Sequence, residues 1–314
     1  MNLNTANIDV SQNTVRLAEE CIKELESIWA DVEKLVFFNQ IKVLKAFNEE
    51  RISLAHMWPS TGYGYQDTGR DGLERVFARS FGAQSALVRL SWPYETLRPV
   101  IGIGHSCEPG SLKDFGVEYS ETDCMLNYEI GRISKKTLEA ELANYITPKT
   151  KVVMIQRSRG YASRKTISMS SISDLTTLVH GKWPSIAVFV DNCYCEFAEI
   201  QEPPEVGVNI TAGSLIKNPG GGLAATGGYT AGTEKHVELV ANSLYATGLG
   251  KEAGSNPYGY RDVYQGFFLA PKIVGEALKG ASFAALFFDR LGYKVDPGPF
   301  EKRRDIVQEI TLGQ

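Results

Sequence analysis

The sequence predicts an α/β fold in which a mostly parallel β-sheet is flanked by helices. Three observations carry that expectation. Apolar runs of strand length alternate with segments of helix length from residue 85 onwards, the rhythm of βαβ units. The run "SIAVFVD" (185–191) is nearly all apolar, as in a parallel strand covered on both faces. The chain has 314 residues, 43% hydrophobic and 22% charged, which is globular in character and long enough for a sizeable core.

Taken in order, residues 13–48 read as one or two long amphipathic helices, because Leu17, Cys21, Leu25, Ile28, Val32 and Leu35 recur at three- and four-residue steps. "STGYGYQDTGRDG" (60–72) holds four glycines and two tyrosines and reads as a loop. A short helix follows, with Leu73, Val76 and Phe77 on one face and Gly82 as its stop. Strands are expected at 85–90, 151–156, 185–191, 209–215 and 226–232. Helices are expected at 134–146, with Ser134 as N-cap, within 170–180, at 233–245, and at 271–291 closed by Gly292. A last strand at 305–312 has nothing after it to pair with. No internal repeat or low-complexity stretch is present.

Composition excludes several classes. The net charge is -4 with both signs spread along the chain, unlike the basic face of a nucleic-acid binder. No apolar run approaches a membrane span, and the N-terminus lacks the features of a secretory signal. Five cysteines at 21, 107, 124, 193 and 195 fit free thiols in a reducing compartment. That places the protein in the cytoplasm, with an organelle left open. The histidines, at 56, 105, 180 and 236, show no metal-ligand spacing, and "CYC" (193–195) has no second cysteine pair for zinc.

Candidate functional residues cluster at strand ends. Asp191 ends the apolar strand, and ligands of open α/β sheets bind outside the carboxyl ends of strands; a helix cap or turn would use the same residue. Lys217 follows the next strand 26 residues later. In such a site a lysine has a depressed pKa and its neutral amine can form a Schiff base; the alternative is a surface lysine on a loop. "NPGGG" (218–222) removes side chains where something approaches the backbone closely, and Ser214 offers a hydroxyl to a phosphate. The run is not a phosphate loop of the Gly-Lys-Ser/Thr type. Tyr63, Tyr65 and Arg70, among glycines, suit an anion or a plain structural turn. "QRSRGYASR" (156–164) follows another strand. Its Arg157 and Arg159 suit carboxylate or phosphate recognition, as substrate-binding residues, or a solvated basic loop. Tyr94 in "WPYETL" could stack on a flat ring or belong to the core.

An aspartate at one strand end, then a serine three residues before a lysine, is the pattern of fold-type I pyridoxal-phosphate enzymes. "STGYGYQDTGRDGLE", "QRSRGY", "VFVDNCYCEF" and "AGSLIKNPGGGLAATGGY" together resemble the aluminium-resistance protein family, also called methionine gamma-lyase-like or cystathionine beta-lyase-like. The likeness continues through "GSLKDFG", "TPKTKVV", "GLGKEAG", "QGFFLAPKIVGEALKGA" and "LGYKV", so it runs from about residue 36 to the end. It implies a fold-type I, transferase-like architecture, with pyridoxal 5'-phosphate as cofactor. Lys217 would hold the cofactor and then shuttle protons. Asp191 would pair with the pyridine nitrogen, so that the ring acts as an electron sink, Ser214 would touch the phosphate, and Tyr94 would stack on the ring. Tyr65 and Arg70, with Tyr63 next, would reach the phosphate of a neighbouring subunit, which implies a homodimer or homotetramer.

The resemblance further implies a carbon–sulfur lyase that acts on a sulfur-containing amino acid by alpha-proton abstraction and elimination. A degenerate member with little cofactor binding, and an aminotransferase on the same fold, are the alternative readings. It divides the chain into an N-terminal helical segment (1–59), a cofactor-binding large domain (60–295) and the start of a C-terminal small domain (296–314). Two departures stand out. "ALVRLSWPYETL" jumps from a strand to a later helix, without the Ser-Gly-Thr-type turn, helix and strand that relatives place near 89–93. That missing helix N-terminus would bind the phosphate. The chain also stops where the small domain, with its carboxylate-binding arginine, should be forming. Both gaps lead us to expect a shortened product.

Overall fold

A computed structural model describes residues 10–90, 116–160, 162–244 and 248–313. Tyr94 and the expected shortening near 89–93 lie wholly or mostly outside them. The residues before β1 form α1 (Gln12–Glu49) and α2 (Thr68–Ser80). The sheet strands are β1 (Ser85–Arg89), β2 (Val152–Gln156), β3 (Ala187–Asp191), β4 (Ile210–Ser214) and β5 (Gly228–Gly232). Between and after them come α3 (Cys124–Glu129), α4 (Lys135–Tyr145), α5 (Met169–Lys182), α6 (Glu234–Leu244) and α7 (Arg261–Arg290). A small hairpin of β6 (Lys294–Asp296) and β7 (Glu309–Thr311) closes the described chain.

The sheet order is β1-β5-β4-β3-β2. Parallel pairing joins β2, β3 and β4, while β5 runs antiparallel to both β4 and β1. Four described strands therefore point one way and β5 alone is reversed, so the mostly parallel sheet is found. Both faces are covered, as the apolar run 185–191 requires. Val188 and Val190 pack with Ile172, Leu175 and Val179 of α5, whereas Phe189 packs with Val237 and Val240 of α6.

Several boundaries move for local reasons. α1 is a single helix whose start is capped by Ser11, which accepts from the Thr14 amide at 3.2 Å. α2 reaches back into the expected loop, because Asp67 accepts from the Arg70 amide at 3.0 Å and caps a turn the glycines do not prevent. α7 begins ten residues before the expected start, and Pro271 lies buried inside it. The last strand does find a partner: β7 pairs antiparallel with the earlier β6, Val295 opposite Ile310. Among the described residues no helix is long and apolar enough to cross a membrane.

The glycine-rich stretch 212–229 is the return from β4 to the antiparallel β5, with Ser214 opposite Gly228. Its glycines do admit a close approach, but of backbone. A Cβ on Gly220 would strike the Leu215 carbonyl, and one on Gly221, at φ +54°, would strike the Gly266 carbonyl of α7. The stretch is thereby clamped to α7.

Beneath it lies an aromatic cluster. Phe77 and Phe267 stack with centroids 3.9 Å apart, and Phe81, Phe197 and Tyr229 surround them. α1 packs along α7, with Trp29 Nε1 donating to Ser282 Oγ at 3.0 Å and Gly275 set against Val36. This cluster joins α2, α7, β5 and the turn after β3. We therefore expect Phe77→Ala to cost about 3–5 kcal/mol in denaturant unfolding; a loss below about 1 kcal/mol would show that the cluster does not hold these elements together.

Candidate active site

Parallel pairing sets the site. Asp191, the last residue of β3, stands opposite Gln156 of β2 and Ala212 of β4. Two residues further along β4 is Ser214, and Lys217 begins the turn that follows. Asp191, Ser214 and Lys217 thus share the carboxyl edge of one sheet, where α/β proteins bind ligands.

The connection after β3 is held in an unusual shape. Tyr194 adopts φ +71° and Phe197 φ +61°, a left-handed conformation uncommon for non-glycine residues. Asp191 Oδ1 accepts from the Cys193 amide at 3.1 Å, which starts the turn. Lys217 Nζ then sits 4.2 Å from the centroid of the Tyr194 ring, close enough for a cation–π contact. Neither Tyr194 nor Cys193 stands out in the sequence as a site residue. The usable signal was only that they follow a strand-end aspartate by two and three positions.

Lys217 is half-buried, and the depressed pKa expected of it is not found. Burial does oppose its charge, but Cys193, Tyr194 and Asp191 around it outweigh that and hold it above the ordinary lysine range. The amine is thereby favoured as a cation beside Asp191.

Ser214 carries a different signal. It is buried, and among the described residues its Oγ has no hydrogen-bond partner. An orphaned buried hydroxyl costs free energy unless something fills its bond. A cationic amine, a strand-end carboxylate and an unsatisfied hydroxyl on one edge fit a flat, basic-nitrogen ring that carries a phosphate.

The expected arginines do something else. Arg157 is 0% exposed. Its Nη1 donates to Asn192 Oδ1 at 2.8 Å, its Nη2 to Glu199 Oε2 at 2.5 Å and its Nε to the Ile167 carbonyl at 3.3 Å. Arg159 donates through Nη1 to the Asp296 carbonyl and Oδ2, at 2.7 and 2.8 Å. Internal acceptors thus occupy all three nitrogens of Arg157, for which a substrate role was expected. Arg70 is likewise buried. Its Nη1 donates to the carbonyls of Gly64 and Glu252, and Asp71 takes its Nε and Nη2. It lines, with Tyr65, Glu74 and Lys251, a cleft of about 590 Å³ on the α2 side. Tyr63 and Tyr65 are 70% and 53% exposed.

Glu196 is a further residue that sequence reasoning missed. Burial pushes its carboxyl up to about 8, and Tyr229 donates to its Oε1 at 3.0 Å under Gly213. Asn218 Nδ2, next to Lys217, donates to its carbonyl at 2.9 Å. Cys21, Cys124, Cys193 and Cys195 form no disulfide. Among the described residues no group of three His, Cys, Asp or Glu side chains could hold a metal ion.

The architecture is that of the fold-type I pyridoxal-phosphate-dependent enzymes. The Escherichia coli pyridoxal-5'-phosphate-dependent protein YhfS shares the fold at 13% identity, with a TM-score of 0.59 over 86% of this chain and 74% of that one. Within that class the chain belongs to the family described as methionine gamma-lyase, whose model matches residues 14–92 and 90–314. It is 38% identical to the uncharacterized protein YnbB of Bacillus subtilis, over 95% of this chain and 75% of that one. A crystal structure described as a carbon-sulfur lyase involved in aluminum resistance, from Clostridium novyi, is 38% identical, with a TM-score of 0.85 over 99% of this chain and 79% of that one.

The raised Glu196 pKa has a consequence for stability. A carboxyl whose folded pKa lies above its unfolded value contributes stability that is fully present below about 4.5 and is lost as pH rises through about 8. We expect unfolding free energy to fall between these limits by on the order of a few kcal/mol, and Glu196→Gln to flatten the slope. Glu202, also raised by burial, leaves a residue of it. Denaturant melts at pH 5.5 and 8 check this; an unchanged slope in Glu196→Gln would contradict it.

Proposed function

We propose that the protein is a pyridoxal-phosphate-dependent carbon–sulfur lyase that acts on a sulfur-containing amino acid. The observation that carries the reading is the placement of Lys217, Asp191 and the orphaned Ser214 hydroxyl on one sheet edge. The family and the carbon-sulfur lyase among its similar structures support the reaction class.

When bound, pyridoxal phosphate supplies an electron sink for charge developing at the substrate's alpha carbon. The protein residues do the rest. Lys217 Nζ would hold the cofactor's aldehyde carbon and, as a free amine, would take the substrate's alpha proton and deliver it onward. It must first lose the proton that its surroundings favour. Cys193, which shares a hydrogen bond with it, orients the amine. Asp191 would pair with the ring nitrogen and keep it protonated. Ser214 Oγ would donate to the phosphate and so satisfy its missing bond. Tyr94 is assigned the stacking position by the family likeness alone.

Tyr65 and Arg70, with Tyr63, serve the phosphate of a neighbouring subunit in this reading, which makes the active unit a homodimer or homotetramer. The exposure of both tyrosines supports it. Arg70 can join only if a phosphate displaces Asp71 from its guanidinium. A second reading, a member with weak cofactor binding, is favoured by the break in the family match, whose two stretches meet at residues 90–92.

Absorbance of the protein mixed with pyridoxal phosphate separates the two. The first reading expects a visible band that Lys217→Ala abolishes, while Asp191→Ala keeps the band and lowers turnover of cysteine, cystathionine or methionine to keto acid by 100-fold or more, about 3 kcal/mol. Absence of a lysine-dependent band in the unmodified chain would select the second reading. Full turnover in Asp191→Ala would remove Asp191 from the mechanism.

A further inference from the structure

Beyond the end of β2, residues 157–160 and 162–166 face the segment 296–305. Between them lies a cavity of about 330 Å³, whose lining carries five cationic side chains against three carboxylates. The carboxylates are already engaged. Asp305 accepts from the Arg159 amide, from Thr166 Oγ1 and from the Val307 amide. Glu301 accepts from Lys165 Nζ at 2.5 Å and from the Gly298 amide at 2.9 Å.

The guanidinium groups are engaged only in part. Arg303 donates only through Nη2, to the Ala281 carbonyl at 3.2 Å and Gln308 Oε1 at 2.6 Å. Its Nε and Nη1 are buried without a hydrogen-bond partner among the described residues, as are the Nε atoms of Arg159 and Arg304. No carboxylate of the described residues lies within ion-pair distance of Arg303, whereas Arg304 reaches Glu129 at 3.4 Å through Nη1 and its Nε lies 3.8 Å from Glu199 Oε1. Arg159 is 2% exposed. Burial pulls the Arg303 pKa down to about 10, and it still carries its charge at neutral pH. A buried, charged donor left without an acceptor is costly, and the three arginines with such a nitrogen all line one cavity, Arg303 alone among them without an ion pair among the described residues.

We propose that this cavity binds a small carboxylate, gripped by Arg303 with Arg159 and Arg304 beside it. The lining has two positive charges over. Asp296, just outside, offsets one through its pairs with Arg159 and Lys165, which leaves room for a monoanion rather than a dianion. The segment that closes the cavity also touches the functional edge, because the Ile306 amide donates to the Tyr194 carbonyl at 3.2 Å, beneath Lys217. The site rests on these arginines alone and does not depend on the cofactor reading.

Calorimetric titration of sodium propionate tests it, at ionic strength held constant with chloride. The protein is first saturated with pyridoxal phosphate, so that the phosphate position cannot take the probe, and is then titrated again without it. Saturable binding is expected in both, weakened about tenfold or more by Arg303→Met, the equivalent of one charge-assisted hydrogen bond, and unchanged in the exposed Lys34→Met control. Inorganic phosphate should bind more weakly than propionate. If circular dichroism shows Arg303→Met unfolded, Arg304→Met replaces it with the same expected loss. No saturable binding, equal binding in a folded arginine variant, or tighter binding of phosphate would overturn the proposal. Failure of the cofactor to bind shows separately in the absorbance.

Discussion

The geometry of the functional edge hangs on the buried guanidinium of Arg157. Its backbone amide donates to the Asp191 carbonyl at 3.0 Å, which locks the end of β2 to the end of β3. Its side chain then reaches past that strand end to Asn192 and Glu199. Asn192 passes the constraint on, donating from Nδ2 to Glu202 Oε2 at 2.8 Å, and Glu202 Oε1 accepts from the Phe197 amide at 2.8 Å. Glu199 also accepts from the Met169 amide at the start of α5. One cation therefore fixes both ends of the turn that carries Cys193 and Tyr194. Such a charge is tolerable in the interior only because every nitrogen is paired, and removing one partner of a buried pair typically costs about 3–5 kcal/mol.

That constraint explains how backbone strain is kept where the chemistry is expected. Tyr194 and Phe197 hold left-handed conformations that an unrestrained chain would leave. The Phe197 side chain is buried among Phe81 and Phe267, and Asn39 of α1 donates to its carbonyl at 2.9 Å. Core packing, α1 and the Arg157 network thus oppose relaxation from three sides. On the other flank the glycines 220 and 221 press the turn after Lys217 against α7. The amine and the Tyr194 ring below it are held by elements remote in sequence.

Much of this was legible in the residues. The apolar run that ends at Asp191 and the strand that ends near Lys217 were readable because parallel strands buried on both faces have no polar alternation to confuse them. The shared edge followed once both were strands of one sheet. What was not legible depended on tertiary partners. Arg157 looked like a ligand arginine because its internal acceptors, Asn192 and Glu199, lie 35 and 42 residues away. The glycines signalled close approach correctly, but not that α7 was the approaching body. The pKa of Lys217 was misjudged because burial was foreseen and the neighbouring Cys193 and Tyr194 were not. Asp67 hid the true start of α2 inside a glycine-rich loop, and β7 was judged unpaired because its partner precedes it.

The central claim is that Lys217, among all the lysines, is the amine this edge presents to an aldehyde cofactor. The most direct measurement is borohydride reduction of the protein incubated with pyridoxal phosphate, followed by peptide mass spectrometry. The account predicts one dominant reduced adduct, on the peptide that contains Lys217. An adduct spread over surface lysines, or none on that peptide, would contradict it.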